Sequence, residues 1–148
     1  SATLAVVIAE PAVLTIAETH TDVLCNGGAT GHIDITIGGG VTPYSYVWND
    51  GVLTEDRTAI PAGNYSVVAT DNNLCSVSVS VIIAEPAALV ATEAHTDVTC
   101  HGGADGTIRI TASSGVLPYA YMWNDANTLP DRTGLIAGTY TVTVSDLN

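Results

Sequence analysis

Apolar and polar residues alternate along much of the chain. In the segment 75–83 every second residue is apolar, and serine occupies the positions between them as far as Ser80. The segments 31–38 and 140–145 show the same alternation. A period of two is typical of β-strands with one buried face, and no stretch has the 3.6-residue period of an amphipathic helix. The pattern therefore predicts an all-β protein.

Clusters of Gly and Asn separate the alternating segments. They occur at residues 27–28, 38–40, 49–51, 63–64 and 72–73, and they suit turns that need positive φ angles. Strands are predicted at residues 13–19, 31–38, 43–48, 57–60, 64–71 and 75–84. Short, closely spaced strands of this kind favour an immunoglobulin-like Greek-key β-sandwich. The segments Tyr46-x-Trp48 and Gly63-x-Tyr65-x-Val67 also resemble polycystic-kidney-disease-type domains, and this resemblance implies the same fold.

The chain contains the same unit twice. An offset of 75 positions aligns residues 1–73 with residues 76–148 without a gap, and 38 of these 73 pairs are identical. A fixed period of this length indicates one structural unit built repeatedly. The fold class predicted is therefore a tandem array of β-sandwich repeats.

The offset also predicts where each repeat begins and ends. We expect one complete repeat at residues 10–84 and a second at residues 85–148 that stops before its last strand. Residues 1–9 match the last strand of the complete repeat, so we expect them to be the last strand of a preceding repeat. Because the chain opens with Ser1 and has no leader-like segment, it reads as an internal part of a longer protein.

The three cysteines fall at two positions of the repeat. Cys25 precedes the second predicted strand and Cys75 begins the last one, so we predict a Cys25–Cys75 disulfide. By the same offset Cys100 would pair with position 150, beyond this chain. Such a bond indicates an oxidising, extracytoplasmic location. Two reduced, buried cysteines are the alternative.

The excess of acidic over basic residues excludes some classes of binding partner. The chain has 15 acidic residues and three basic ones, all arginine, so its formal net charge is −12. Nucleic acid and anionic membranes are recognised through Lys and Arg, and no apolar run reaches the roughly 20 residues of a transmembrane helix. We therefore expect no nucleic-acid binding and no membrane insertion. Neighbouring repeats and a glycan or protein surface ligand remain as partners.

The aromatic residues fall at four positions of the repeat. Three of the four lie on one predicted strand at a spacing of two, and they therefore share a face. Because the chain has no Phe, we expect its aromatics to fill the core, and an exposed glycan-binding platform is the alternative. The residues are Tyr44, Tyr46, Trp48 and Tyr65 in the first repeat, and Tyr119, Tyr121, Trp123 and Tyr140 in the second.

Acidic and amide side chains are concentrated in the loops. Asp22, Asp50 and Asp71 are candidate calcium ligands, but no loop has the dense carboxylate spacing of a dedicated site, so solvated turn residues are the favoured interpretation. We expect Asp56 and Arg57 to form a local ion pair that anchors a loop. No nucleophile motif or phosphate loop is present, so the sequence predicts no catalysis and no cofactor.

A spaced set of residues resembles a known family. The pattern is Cys25-x-Gly27-Gly28, then Pro43-Tyr44-x-Tyr46-x-Trp48, then Ala62-Gly63-x-Tyr65-x-Val67, then Cys75 and a closing Glu85-Pro86. It resembles the SprB repeat of Bacteroidetes surface proteins over essentially the whole chain. The turn at residues 71–74 lacks the Gly that family units tend to have, and we expect an Asn to take the left-handed conformation there.

The resemblance implies a function. It implies very large, exported cell-surface filaments that act as adhesins, with gliding motility as the role of the founding member. We therefore expect an extracellular module on a bacterial surface, joined to its neighbour by the short, proline-restricted linker Glu85-Pro86. A carbohydrate-binding module and an accessory domain of a secreted hydrolase are the alternatives. Self-association, either lateral or by strand exchange between chains, is a further prediction.

Overall fold

A computed structural model of the chain describes residues 2–148 and leaves Ser1 outside the described part. The chain divides into two compact units. The first comprises Ser1–Val23 and Gly27–Ala84, and the second comprises Leu24–Asn26 and Glu85–Asn148. No helix in residues 2–148 is long and apolar enough to cross a membrane.

The first unit contains six strands. They are β1 (Thr15–Thr21), β2 (Gly31–Gly38), β3 (Ser45–Trp48), β4 (Arg57–Ile60), β5 (Gly63–Thr70) and β6 (Ser76–Ile83). Each lies within about two residues of the bounds predicted from the alternating pattern, which confirms those six predictions. The largest shifts, of two residues, are in β1 and at the start of β3.

Two antiparallel sheets enclose the core of the first unit. One has the order β1-β2-β4 and the other the order β3-β5-β6. Because side chains alternate between the two faces of a strand, each sheet turns one apolar face inward. The buried cluster draws on both sheets and consists of Val23, Ile33, Ile35, Trp48, Ile60, Val67, Val81 and Ile83. The predicted all-β sandwich repeat is confirmed.

The second unit contains five strands. They are β7 (Val90–Thr96), β8 (Gly106–Ser113), β9 (Ala120–Trp123), β10 (Asp131–Leu135) and β11 (Val142–Ser145). They form one sheet of order β10-β8-β7 and one of order β11-β9. These strands correspond to β1–β5, and none in residues 85–148 corresponds to β6. The fully buried apolar residues of this unit are reduced to Ile110, Trp123 and Leu135.

Residues 2–9 lie in no strand of the described part of the chain, and their assignment as the last strand of a preceding repeat stays a prediction. Every residue in this segment is exposed, and none is paired in a sheet. A strand needs a neighbour to pair its backbone N–H and C=O groups, and no strand of the described residues pairs with this segment. All residues of the segment except Thr3 are apolar, yet they lie in no strand of the described part of the chain.

The turn between β5 and β6 also differs from the expected one. Leu74, not an Asn, adopts the left-handed conformation, with a φ of 67°. The carboxylate of Asp71 accepts N–H bonds from Asn73 and Cys75, each 2.9 Å long, and the Leu74 N–H donates to the Asp71 carbonyl oxygen. These bonds to one aspartate define the turn, so the residue at the left-handed position need not be Gly or Asn.

Candidate functional site

An arginine stacked between two aromatic rings lies at the edge of the core in the first unit. The guanidinium carbon of Arg57 is 5.3 Å from the centre of the Trp48 ring and 5.4 Å from that of Tyr65. Because only 11% of the Arg57 side chain is exposed, these cation–π contacts are largely shielded from water. Strands β3, β4 and β5 contribute one member each, so the cluster ties the two sheets together.

Asp50 completes this cluster from the turn after β3. Its two carboxylate oxygens accept bonds of 3.0 and 2.7 Å from Nη1 and Nη2 of Arg57. The paired geometry fixes the guanidinium plane against the rings. The side-chain bond from Arg57 also holds the pKa of Asp50 below its ordinary value.

The second unit repeats the cluster. The guanidinium carbon of Arg132 lies 5.2 Å from the ring centre of Trp123 and 6.0 Å from that of Tyr140. Asp125 accepts bonds of 3.1 and 2.6 Å from Arg132, which also lower its pKa. Because the same residue types make the same contacts in both units, the cluster is a structural feature of the repeat.

The predicted ion pair of Asp56 with Arg57 is wrong, because Arg57 pairs with Asp50. Asp56 lies in the bend immediately before β4, and its carboxylate is used there by a backbone group of β2. Asp56 instead accepts a 3.0 Å bond from the backbone N–H of Ile35. The signal that sequence reasoning missed is the identity of both Asp50 and Arg57 in the second copy, at the same spacing of seven.

The two tryptophans lie in the cores. Trp48 is 2% exposed and Trp123 is 3% exposed, and each indole N–H donates a 2.8 Å bond to a backbone carbonyl. The tyrosines are half-buried, and Tyr46 and Tyr65 pack against the first core. Burial and a bond to Glu55 raise the pKa of Tyr46. Because Arg57 covers its ring, Trp48 has no free face to offer a sugar.

The hydroxyl groups of two further tyrosines donate hydrogen bonds to backbone carbonyl oxygens. Tyr44 donates its hydroxyl hydrogen to the Gly39 carbonyl oxygen, and Tyr119 donates to that of Ser114. The half-buried rings of the second repeat include Tyr121, on the same face of β9 as Trp123.

The three calcium candidates are not brought together. Asp22 accepts the N–H of Ala84 at 2.8 Å, Asp50 is bound to Arg57, and Asp71 accepts backbone N–H bonds. Each carboxylate thus has its own structural partner. Within residues 2–148, no group of three or more His, Cys, Asp or Glu side chains is arranged to hold a metal ion.

Asp71 is the buried acid of the first unit. Burial alone would raise its pKa, but N–H bonds from Cys75, Val41 and Asn73 outweigh that cost, and the net shift of the pKa is downward. One side chain thus joins the β5–β6 turn to the loop before β3. Asp146 makes the corresponding 2.9 Å bond to the N–H of Val116 in the second unit.

The predicted Cys25–Cys75 disulfide is wrong. Both cysteines, and Cys100, are free and exposed. Cys25 lies two residues after Val23, whose N–H donates to the Ala84 carbonyl oxygen beyond the end of β6. Cys75 lies at the other end of that eight-residue strand. At about 3.3 Å a residue, β6 holds the cysteines roughly 20–30 Å apart, far beyond the Cα separation of about 7 Å that a disulfide tolerates.

The alternative of two buried thiols is also wrong, and the exposure of all three thiols is directly testable. We expect three thiol equivalents per folded chain to react with a maleimide, at rates close to that of an unstructured cysteine peptide. The matched control is Cys25→Ser, which lowers the count to two. A folded chain with one reactive thiol, and with three only after reduction, would contradict the structure.

The linker residues Glu85 and Pro86 follow the end of the first unit. They lie between β6 and β7 and belong to no strand. The division between the two units falls between Ala84 and Glu85. Pro86 fixes its own φ angle and removes one backbone donor at this position.

These features define a class of protein: a tandem β-sandwich repeat whose recurring polar residues tie strands and turns together. The chain belongs to the SprB repeat family, whose model matches residues 17–53 and 92–128, together half of the chain. SprB repeats are structural repeats of cell-surface proteins and not an enzyme family. A comparison with curated proteins finds no match.

Proposed function

We propose that the chain is a structural module of a large bacterial cell-surface adhesin, in which serially connected repeats extend or form the adhesive region. The observation that carries the proposal is that the Trp48–Arg57–Asp50 cluster is built again by Trp123, Arg132 and Asp125. The side chains with the best-defined polar contacts are thus used to stabilise each repeat, and repetition of a stable unit is what a stalk requires.

Composition and family support the same function. A net charge of −12 disfavours adhesion to nucleic acid or anionic lipid and leaves glycans and proteins as ligands. Membership of the SprB repeat family supports an extracellular location on the cell surface. Gliding motility is the form of surface adhesion that the family suggests, and we propose it as the setting of this module. We propose no catalytic activity for it.

The proposal is tested on cells that make the parent protein. Antibodies raised against the 148-residue chain are expected to label intact and permeabilised cells equally, and brief external proteolysis should remove the label. An antibody against a cytoplasmic protein, which should label only permeabilised cells, is the control. Disruption of the gene is expected to reduce attachment to a surface and the speed of gliding several-fold. Labelling confined to permeabilised cells would refute the proposal.

Binding to a glycan array tests the alternative function, a carbohydrate-binding module. The folded chain is applied to a glycan array beside its Tyr44→Ala variant, because Tyr44 is a half-buried aromatic of the proposed platform. A structural module is expected to give no glycan signal that depends on this ring. Strong binding that the variant loses while its circular dichroism spectrum stays unchanged would favour the carbohydrate-binding module instead.

A further inference from the structure

The two sheets of the first unit end in four edge strands, β1 and β4 in one sheet and β3 and β6 in the other. An edge strand has unpaired backbone N–H and C=O groups along its open side, and a strand of another chain can pair with them. Proteins usually prevent this pairing with edge strands that are short, bulged or charged. Three of these four edges have such a feature, and β6 does not.

The edge strands β3 and β4 are short. Each has four residues, whereas β6 has eight. The pairing of β4 with β2 also shifts register between Gly31 and His32, and Ala59 in β4 has a φ of 53°, so this edge is irregular as well. A strand added at β3 or β4 therefore finds only a short row of backbone groups to pair with.

The edge strand β1 has ionisable side chains on its inward face. Glu18 lies opposite the buried Ile35, so the two side chains share that face, and its Oε2 atom is 3.0 Å from Nδ1 of His20. An inward-pointing charge at an edge opposes the addition of a further strand. In the second unit Glu93 and His95 form the same pair on β7, 2.9 Å apart, so this protection is a feature of the repeat.

The edge strand β6 is long, regular and uncharged. It runs from Ser76 to Ile83 and contains no charged residue, Gly or Pro. Its register with β5 is unbroken at all eight pairs, so no bulge interrupts it. Among residues 2–148, β5 is the only strand that pairs with it. Because alternate residues of an antiparallel strand bond to each side, half of the backbone groups of β6 point to the open side.

The lack of charge on β6 is important because the whole chain is strongly acidic. A formal net charge of −12 makes two copies repel each other, and the repulsion is weakest where uncharged surfaces meet. The neighbouring strands β3 and β5 also contain no charged residue, so the entire sheet is uncharged. This sheet is therefore the part of the first unit at which a second copy can approach most easily.

We propose that β6 is a docking surface for β6 of a second copy of this chain, with the two strands antiparallel about a twofold axis. Opposite residues of an antiparallel pair share a face. Ser78 therefore lies opposite Ser80 or Ile82 of the second copy, and the inward-facing Val79 lies opposite Val79 or Val81. Backbone hydrogen bonds supply the affinity, and the match of side chains on each face supplies the specificity. The two sheets join into one of order β3-β5-β6-β6-β5-β3.

The proposed contact closes on itself. The same strand contributes from both copies, so the contact is isologous and the expected assembly is a dimer. One pair of strands is a small interface, which makes the association weak and dependent on salt that screens the acidic chains from each other. The dimer is independent of the proposed surface function, since it depends on β6 alone and not on where the protein is located.

The first test measures the mass of the 148-residue chain by sedimentation, between about 1 µM and 1 mM in about 0.15 M salt. A reducing agent prevents crosslinks through the exposed thiols. The mass is expected to rise with concentration from 15.1 kDa towards twice that value. Amide hydrogen exchange in residues 76–83 should slow as the dimer forms. A monomer at every concentration overturns the proposal, and so does association that leaves exchange in this segment unchanged.

Two substitutions of serine by glutamate locate the contact. Ser80→Glu places two like charges beside the twofold axis, and it is expected to weaken the dimer at least about tenfold. Ser45→Glu is the matched control, because it adds the same charge on β3, at the opposite edge of the same sheet. We expect it to change the affinity less than about threefold. Both serines are exposed, so neither substitution buries a charge. Equal effects of the two overturn the proposal.

Spin labels determine the direction of the pairing. Ser80→Cys and Ser76→Cys are labelled separately, in a chain whose three native cysteines are replaced by serine. In the antiparallel pair the two copies of residue 80 lie within two positions of each other, whereas the two copies of residue 76 lie roughly 20–26 Å apart along the strands. The distance between labels is therefore expected to be short at residue 80 and long at residue 76. Two short distances, as in a parallel pair, or two long distances overturn the proposal.

Discussion

Replacement of Trp48 by alanine is expected to lower the free energy of unfolding of the first unit by about 3–5 kcal/mol. The indole is 2% exposed, and it contacts the core on one side and the Arg57 guanidinium on the other. A domain of about 75 residues has a total stability of only about 4–11 kcal/mol. The variant therefore loses at least about a quarter of this stability. The loss is measured by calorimetry, in which the melting transition of the first unit should move to a much lower temperature.

The control for Trp48→Ala is Val47→Ala. Val47 is the preceding residue of β3 and its side chain points outward, so we expect a change of less than about 0.5 kcal/mol. Trp48→Phe separates two contributions, because it keeps an aromatic ring in the core but loses the indole bond to Thr54, worth about 1 kcal/mol. A transition unmoved in Trp48→Ala would show that the cluster does not hold the first unit together.

Replacement of Ile83 by alanine is expected to destabilise the first unit by about 2–5 kcal/mol. Ile83 is 1% exposed and fills the space above Gly31, so its truncation leaves a cavity between the two sheets. The measurement uses a Trp123→Phe background, in which the fluorescence of Trp48 reports on the first unit alone during urea unfolding. The midpoint should fall without a change in the slope of the transition.

Ile82→Ala is the matched control for Ile83→Ala. The residue type is the same and the position differs by one, but the Ile82 side chain is 69% exposed on the outer face of β6. We expect a change within about 0.5 kcal/mol. Comparable losses in the two variants would mean that β6 does not close the sandwich with the alternation described above.

The strands of the first unit were predictable because alternation is a local property. In β6, serines face outward as far as Ser80, while Val81 and Ile83 face the core, and one sheet face is enough to impose that order. The segment 2–9 lies in no strand although all of its residues except Thr3 are apolar, since apolar side chains do not by themselves supply a neighbouring strand. Pairing depends on an available edge, which is a property of the fold.

The ion-pair partner of Arg57 and the separation of Cys25 from Cys75 were harder to predict from the sequence. Arg57 was assigned to Asp56, its neighbour in sequence, yet the turn after β3 brings Asp50 to it instead. Cys25 and Cys75 have a spacing compatible with a disulfide, but spacing along the chain does not reveal that residues 23–25 lie beyond the end of β6 opposite to Cys75. Internal repetition does flag Asp50 and Arg57, because both recur in the second copy.

By itself the sequence determined the all-β class, the 75-residue repeat and the bounds of the strands, because side-chain alternation and turn residues act over a few neighbouring positions. Only the tertiary structure decided that Arg57 stacks between Trp48 and Tyr65, that its ion-pair partner is Asp50, and that the cysteines stand apart. The physical reason is that these features arise from the pairing and packing of strands distant in sequence, which a local pattern does not encode.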